Sequence, residues 1–318
     1  MEFGEICGRI TMDTEGGITM KTLNELKTKV KNGNKMRLAV AASQDEEVLR
    51  AVIEAATENI IEPILVGDID KTEKIAEQLK IDLASYEKIN SLDLKETAEI
   101  AVKLVSSNKA DFLMKGLIDT SILLKEVLNK EYGLRTDSLL SHVMVYEIPT
   151  YHKLLFLTDG GMNISPNYDQ KIKIVDNAIE ACRALGQSEI KVALLAAKEK
   201  VSDKMQATVD ANQIKIEYAN RNLQGVFVDG PLALDLAISK EAAEVKGFES
   251  NVAGDADVLV VPTIEMGNGI GKALTYFANA KSAGVIMGTK APVVLVSRAD
   301  THEAKLNSIA LGSLIANK

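Results

Sequence analysis

The sequence predicts an α/β fold of two domains built mainly on parallel sheet, and three observations lead there. Short apolar β-runs alternate with amphipathic helical patterns almost throughout the chain, which implies βαβ units, parallel strands and right-handed crossovers. The 318 residues exceed what one hydrophobic core fills, because single cores stop growing near ~250–300 residues. The alternation breaks once, around residues 141–158. Two strands follow each other there with only Ile148-Pro-Thr-Tyr-His152 between them. That spacing predicts an antiparallel hairpin and places a domain boundary near residue 141.

In chain order, residues 1–19 are Gly- and Glu-containing and weakly patterned, and are expected to be an extension without a role in the fold; Met20 opens a clean helical pattern. Arg37–Ala41 is the first apolar β-run. Glu46–Thr57 carries helical spacing, Pro63–Val66 is again a β-run, and Lys95–Ser106 is helical. Asp111–Met114 is a strand candidate followed by helix over Ile122–Leu128. Val143–Tyr146 and Leu154–Leu157 form the hairpin. Lys171–Leu185 places Ala178, Ile179, Cys182 and Leu185 on one helical face, so Cys182 is expected in the core. Strands Lys191–Leu195 and Gly225–Val228, helix Leu232–Val245, and strands Val258–Val261, Val285–Met287 and Val293–Val296 complete the series. The last strand stops abruptly at a hydroxyl and a guanidinium, Ser297-Arg298, and a helix begins three or four residues later.

Composition narrows the function classes. Charged residues are 26% and apolar residues 46% of the chain, ordinary for a globular protein. A net charge of −8 argues against an extended nucleic-acid or membrane surface, which needs a basic face. Aromatic residues at 4% with no Trp argue against base-stacking platforms. No apolar run approaches the ~20 residues that span a bilayer, and the N-terminus shows no apolar signal-peptide region; the expectation is a cytoplasmic protein. Two cysteines, Cys7 and Cys182, make neither a disulfide framework nor a zinc spacing.

Four loops that follow strands collect small, polar and charged residues. The first, Lys115-Gly116-Leu-Ile-Asp119-Thr120-Ser121, precedes the helix containing Lys125; glycine admits a ligand to the backbone, and freed helix N–H groups bind anions. It also reads as an ordinary helix cap. The second, Thr158-Asp159-Gly160-Gly161-Met-Asn163, and the third, Asp229-Gly230-Pro231, each read as a turn as readily as a site, since Asp and Gly are common turn formers. The fourth runs from Pro262 through Glu265, Gly267, Asn268, Gly269 and Gly271 to Lys272. It is not a P-loop, because Ala273 follows Lys272 and the glycine spacing fails, and it lacks the dinucleotide-binding spacing. The first βα turn, Ala41-Ala-Ser-Gln-Asp45, contains no glycine, so a nicotinamide site is not expected. The histidines, His142, His152 and His302, show no metal-ligand spacing. No metal site and no permanently bound cofactor is expected. Ligands of open parallel sheets bind outside the carboxyl ends of strands, so Arg298 beside a helix start is placed to hold a phosphate.

These motifs together resemble the phosphate acetyltransferase/phosphate butyryltransferase family, with greatest similarity to its butyryltransferase branch. The resemblance covers roughly residues 20–318. It rests on the Lys115-Gly116…Thr120-Ser121 loop, Tyr132-Gly-Leu-Arg135 with Ser141-His142-Val, Thr158-Asp-Gly, Val228-Asp-Gly-Pro, Gly267-Asn268…Lys272-Ala, and Ser297-Arg298 followed by Lys305-Leu-Asn-Ser-Ile-Ala-Leu. It implies reversible transfer of a short acyl group, butyryl or similar: acyl-CoA plus phosphate giving acyl phosphate plus coenzyme A, with coenzyme A a substrate. An acetyl preference is the alternative.

The resemblance also implies a fold similar to isocitrate and isopropylmalate dehydrogenases. Residues 1–140 plus 290–318 would form one domain and 141–289 the other, with the active site in the cleft and a homodimer or higher oligomer as the working form. By the same resemblance Ser297 and Arg298 are catalytic, and Lys115, Gly116, Thr120, Ser121, Lys125, Asn268, Lys272, Thr158, Asp159 and Asp229 bind substrate. The aspartate that acts as base in the acetyltransferases falls on Ala304, leaving Asp300 or Glu303 to substitute. Asp300 and Glu303 also read as a capping pair at the start of the last helix. Two rival readings are a metal- and NAD-dependent hydroxyacid dehydrogenase with Asp229, Asp255 or Asp257 as ligands, and a non-catalytic CoA-binding regulator.

Overall fold

A computed structural model describes residues 20–297 and 300–317. In chain order the elements are α1 (Leu23–Lys31), β1 (Met36–Ala41), α2 (Glu46–Thr57), β2 (Ile61–Gly67), α3 (Ile69–Leu79), β3 (Glu87–Asn90), α4 (Leu94–Ser106), β4 (Phe112–Lys115), α5 (Thr120–Val127), β5 (Ser141–Glu147) and β6 (Leu155–Thr158). They continue with α6 (Tyr168–Ala184), β7 (Ile190–Leu195), α7 (Gln206–Arg221), β8 (Val226–Leu232), α8 (Leu234–Ile238), α9 (Lys240–Val245), β9 (Val258–Val260), α10 (Ile264–Phe277), β10 (Lys281–Met287), β11 (Val293–Val294) and α11 (His302–Ala316). Several helix starts follow from their first residue. Asp45 and Asp93 accept the N–H of Val48 and Glu96, and Asn167 with Gln170 forms a reciprocal capping box, satisfying donors that the first turn leaves unpaired.

Among the described residues the strands form one sheet in the order β3-β2-β1-β4-β11-β10-β5-β6-β9-β7-β8. Two parallel blocks, β3-β2-β1-β4-β11 and β6-β9-β7-β8, are joined by antiparallel pairings of β11 with β10, β10 with β5 and β5 with β6. The hairpin is therefore present, and one feature departs from an expectation of parallel pairing: β10 runs against both its neighbours.

Other departures have local causes. The charged strand Glu87-Lys-Ile-Asn90 has no apolar run to reveal it and lies at a sheet edge, where short charged strands are favoured. The strand expected over Val293–Val296 ends at Val294. The expected helix Leu232–Val245 is split, because β8 extends through Leu232 and extended Ser239 ends α8 and caps α9 by accepting the Ala242 N–H.

Packing differs on the two faces. One face carries a single continuous core that includes Leu26, Phe112, Val143, Phe156, Val285 and Leu311 and spans both blocks. Helix α11 lies within it, buried at every residue from Lys305 to Ile315, and Gly312 leaves room for Phe112 and Val294, whose side chains a Cβ would meet at under 3.0 Å. Cys182 is buried in the same core, where burial pushes its thiol well above the ordinary range. On the opposite face the core is divided: Leu113, Ile118, Leu123 and Ile286 belong to one cluster, and Tyr146, Leu157, Leu259 and Val261 to another. No helix among the described residues is long and apolar enough to cross a membrane.

Candidate active site

The seam between the two clusters opens into a cavity of about 1010 Å³. Its floor follows from strand alternation. Along β5, Val143 and Val145 point into the continuous core, so His142, Met144 and Tyr146 face the cavity. Their partners on β10, Ile286, Gly284 and Ser282, face it too. Burial and the nearby Asp300 push the Tyr146 phenol up to about 12, so it stays protonated at neutral pH.

The short β11 shapes the wall. It pairs with β10 only at Ile286–Val293, so the first half of β10 has a bare edge, and α11 covers it. Ser308 Oγ accepts the Gly284 N–H at 2.9 Å and donates to the Ala304 carbonyl at 2.7 Å. Asn307 reaches the Ser282 carbonyl only at 3.4 Å, and its Oδ1 is buried with no hydrogen-bond partner. His142 Nε2 is buried and unpartnered in the same way. Such groups are rare in native proteins and call for an explanation. Both side chains belong to the cavity wall.

Two loops close over the floor. After β6, the buried carboxylate of Asp159 accepts the N–H groups of Gly161 and Met162 at 2.9 Å, the Asn163 N–H at 3.2 Å and Asn163 Nδ2 at 2.5 Å. That loop is held against the start of α10 by two glycines. A Cβ on Gly160 would lie 2.8 Å from the Gly267 carbonyl carbon, and one on Gly267 would lie 2.6 Å from Gly160 Cα. This contact sets the position of Asn268 and, one turn on, of Lys272, both in the wall. Gly267→Ala should force the two backbones apart and lower kcat/KM about tenfold or more, since small misplacements of positioning groups carry large rate costs. Steady-state kinetics alongside a thermal melt would check this; unchanged kinetics in a folded variant would contradict it.

On the other side the wall contains Lys115, Asp119 and Thr120. Asp119 is the N-cap residue of α5 but makes no side-chain cap bond; the Ile122 N–H donates to the Asp119 carbonyl, and the N–H groups of Thr120 and Ser121, with the positive end of the helix dipole, remain for an anion. The Lys115 side chain is buried, which concentrates its charge at this end of the cavity. The segment after β11 forms a tight turn. Asp300 Oδ2 accepts the Ser297 N–H at 2.7 Å, and the Asp300 N–H returns to the Ser297 carbonyl at 3.1 Å. Thr301, not Asp300, caps α11 by accepting the Ala304 N–H at 3.2 Å. Glu303 pairs with Lys281 at 2.8 Å, both about half exposed, a pairing worth little in stability.

The residues singled out from sequence thus separate. Ser297, Asp300, Glu303, Lys115, Thr120, Asn268 and Lys272 are in the cavity wall. Arg298 lies outside the described residues, as do residues 1–19. Gly116, Ser121, Lys125, Thr158, Asp159 and Asp229 are not in the wall. Gly116 is needed for packing, since a Cβ would lie 2.1 Å from the Ala42 carbonyl oxygen. Ser121 and Lys125 are exposed along α5. Thr158 Oγ1 donates to the His142 carbonyl, and Asp159 organises its loop. Asp229 lies on β8 at the far sheet edge, where Lys215, Ser250 and the Gly230 N–H hold it.

The sequence reading gave no role to His142, Met144, Gly284 or Asn307, although His142 and Asn307 lie in motifs that carry the family resemblance. Only the alternation along β5 pointed to the first two.

The relationships of the chain to known proteins bear on this geometry. A family model described as "Phosphate acetyl/butaryl transferase" matches residues 21–102 and 93–313. The chain is 46% identical to a phosphate butyryltransferase of Clostridium acetobutylicum over 93% of this chain and 99% of that protein. A solved structure described as a branched-chain phosphotransacylase from Enterococcus faecalis superposes with a TM-score of 0.78 at 37% identity, covering 88% of this chain and 99% of that one. A 4-hydroxythreonine-4-phosphate dehydrogenase from Klebsiella pneumoniae shares the fold alone, with a TM-score of 0.56 at 14% identity over 89% of this chain and all of that one.

Proposed function

The chain belongs to the phosphate acetyl/butyryl transferase family, and from that premise we infer how its cavity works. The protein is a phosphate acyltransferase with a short acyl group, butyryl before acetyl, as its substrate. Acyl-CoA and inorganic phosphate exchange with acyl phosphate and free coenzyme A. We assign the chemistry to the cavity between residues 1–140 plus 290–318 on one side and 141–289 on the other. The observation that carries this is the meeting, in one wall, of the Ser297–Asp300 turn, the uncapped start of α5 with buried Lys115, and the Asn268–Lys272 face of α10.

Each part has a role that its chemistry suits. The α5 N–H groups, Thr120 and Lys115 hold the phosphate oxygens, with the Arg298 guanidinium as a bidentate donor. When the thiol attacks the acyl-phosphate carbonyl, negative charge develops on the carbonyl oxygen, and a hydroxyl at Ser297 donates to it. Asn268 and Lys272 hold the other end of the substrate. The apolar floor of Met144, Leu157 and Gly271 gives the acyl tail room, and one methylene in such a pocket is worth only ~1–3 kcal/mol of discrimination.

The reading is tested with purified protein and a C2 to C6 acyl-CoA series, following loss of thioester absorbance. Turnover should require phosphate and need neither added metal nor nicotinamide, with the highest kcat/KM at or beyond four carbons. No phosphate-dependent loss with any chain length would refute it.

A further inference from the structure

Transfer of an acyl group to coenzyme A needs a group that removes the thiol proton, because a thiol with a pKa of ~8.5 is mostly protonated at neutral pH. The acidic groups nearest the Ser297 turn are committed elsewhere. Asp300 holds the turn by accepting the Ser297 N–H, and Glu303 is paired with Lys281. Position 304, in the cavity wall, is an alanine and has nothing to offer a proton.

The cavity wall also holds an imidazole whose Nε2 has no hydrogen-bond partner among the described residues. The ring of His142 is seated between two glycines: a Cβ on Gly161 would lie 2.6 Å from its Nδ1, and one on Gly284 would lie 3.0 Å from its Nε2. A methyl group on Gly161 would displace the ring, and one on Gly284 would crowd it while striking Met144 Sδ at 2.5 Å. Its main chain is fixed by the Thr158 hydroxyl and by the β5–β10 ladder. Nε2 is nonetheless left with no hydrogen bond among the described residues.

We propose that His142 is the general base that takes the coenzyme A thiol proton, filling the function that the alanine at position 304 cannot. This rests on the acyl-transfer reading of the cavity. The proton leaves sulfur for Nε2 as the S–C bond forms at the acyl-phosphate carbonyl. The C–O bond to phosphate then breaks, and the same proton passes from Nε2 to the departing phosphate oxygen. Acyl phosphate plus thiol thus yields thioester plus hydrogen phosphate with nothing gained or lost. In the reverse direction the imidazolium protonates the leaving thiolate.

The surroundings suit a base. Burial lowers the His142 pKa from its ordinary value, partly opposed by the carboxylates of Asp159, on the loop after β6, and Asp300, before α11. Among the described residues the other charged groups of the cavity wall are Lys115, Lys272, Lys281, Asp119 and Glu303. A lowered value leaves the imidazole neutral, and so able to accept, at neutral pH. The activity should then fall on the acid side, at a pH below the ordinary imidazole value of about 6.5.

The test uses the full chain and its variants His142→Gln and His142→Ala, with butyryl phosphate and coenzyme A as substrates and a thermal melt as the check on folding. Loss of a general base typically costs ~10²–10⁴-fold. Both folded variants should lose about 100-fold or more in kcat, with KM for butyryl phosphate within about threefold of wild type. The acid limb of the kcat profile should vanish, and added imidazole should restore part of the rate of His142→Ala.

Wild-type turnover with kcat within about threefold in either variant, or a loss that leaves the acid limb in place and does not respond to imidazole, would overturn the inference while leaving acyl transfer intact. Absence of turnover in the wild type would instead overturn the acyl-transfer reading itself. Should neither variant fold, ¹⁵N-imidazole spectra of the wild type decide. The Nε2 resonance remaining after His152→Asn and His302→Asn should shift with coenzyme A but not with its desulfo analogue. Equal shifts with both would refute the proposal.

Discussion

Arg298→Gln is expected to lower kcat/KM roughly 1000-fold, equivalent to about 4 kcal/mol of lost transition-state stabilisation at 1.36 kcal/mol per decade. A phosphate group carries its charge through transfer, and a guanidinium meets two of its oxygens with a pair of parallel N–H donors. Glutamine keeps a planar amide donor but is shorter, carries no charge and lacks the paired N–H fork. Arg298 and Ala299 lie outside the described residues; Ser297 before them and Asp300 after them are in the cavity wall, tied to each other at 2.7 Å. Arg298→Lys restores the charge as a single point without the fork, so it should recover part of the loss and no more. The discriminating measurement is kcat/KM for acyl phosphate in the three proteins. A Gln variant as fast as wild type would remove Arg298 from the phosphate site.

The second large effect is on stability and leaves the cavity untouched. Lys153 is buried and pairs with Asp257 at 2.7 Å and with Asp255 at 3.2 Å, while donating to the Asp255 carbonyl at 2.9 Å. Its side chain is 8% exposed and that of Asp257 only 3%. Lys153→Met strands the Asp257 carboxylate in the interior, and breaking a buried pair from one side costs ~3–5 kcal/mol. Urea unfolding should show that loss. Lys153→Met combined with Asp257→Leu should recover a substantial part, because neither charge then has to be desolvated. A single variant as stable as wild type would show that the pair contributes nothing.

The same network predicts a pH response. Burial pushes Asp255 upward, but hydrogen bonds from Lys191 and His152 and the charge of Lys153 outweigh it and hold its carboxyl well below the usual range. A depressed carboxyl contributes stability that is complete above its unfolded value of about 3.9 and is lost as pH falls toward the folded value. Asp257 works in the opposite sense, since burial raises it despite Lys153. These two aspartates and Asp229 are the carboxylates that suggested a metal-dependent dehydrogenase from sequence. In the fold each is held by lysine, so their spacing is accounted for by ion pairing.

Much of the architecture could be read before any coordinates because burial leaves a periodic trace. Glu46–Thr57 is helical over the residues its pattern suggested, and the hairpin around residues 148–152 pairs antiparallel as the missing helix implied. Family membership was legible for a related reason: backbone-critical glycines and polar residues recur in fixed order around loops. Legibility failed where the pattern is weak or contradicted. Edge strand β3 has a single apolar residue, Ile89, and α3, whose helical pattern was passed over, has only Thr72 and Ala76 buried.

The site was read less completely than the fold. Loop composition led to Ser297, Thr120, Asn268 and Lys272, which are in the cavity wall. The same reasoning chose Thr158, Asp159 and Asp229, whose hydrogen bonds serve their own loops and strands. An aspartate in a turn looks alike in sequence whether it binds a ligand or its neighbours' N–H groups, because both uses need the same carboxylate.

What the sequence alone determined is therefore the succession of elements and the family, both encoded in residues close along the chain. Only the tertiary structure decided that β10 runs against its neighbours, that Gly160 meets Gly267, and that His142 sits between Gly161 and Gly284. The physical reason is distance along the chain: more than a hundred residues separate Gly160 from Gly267 and His142 from Gly284. Local hydrophobic periodicity tells each segment which face to bury but carries no information about which distant backbone will come to lie against it.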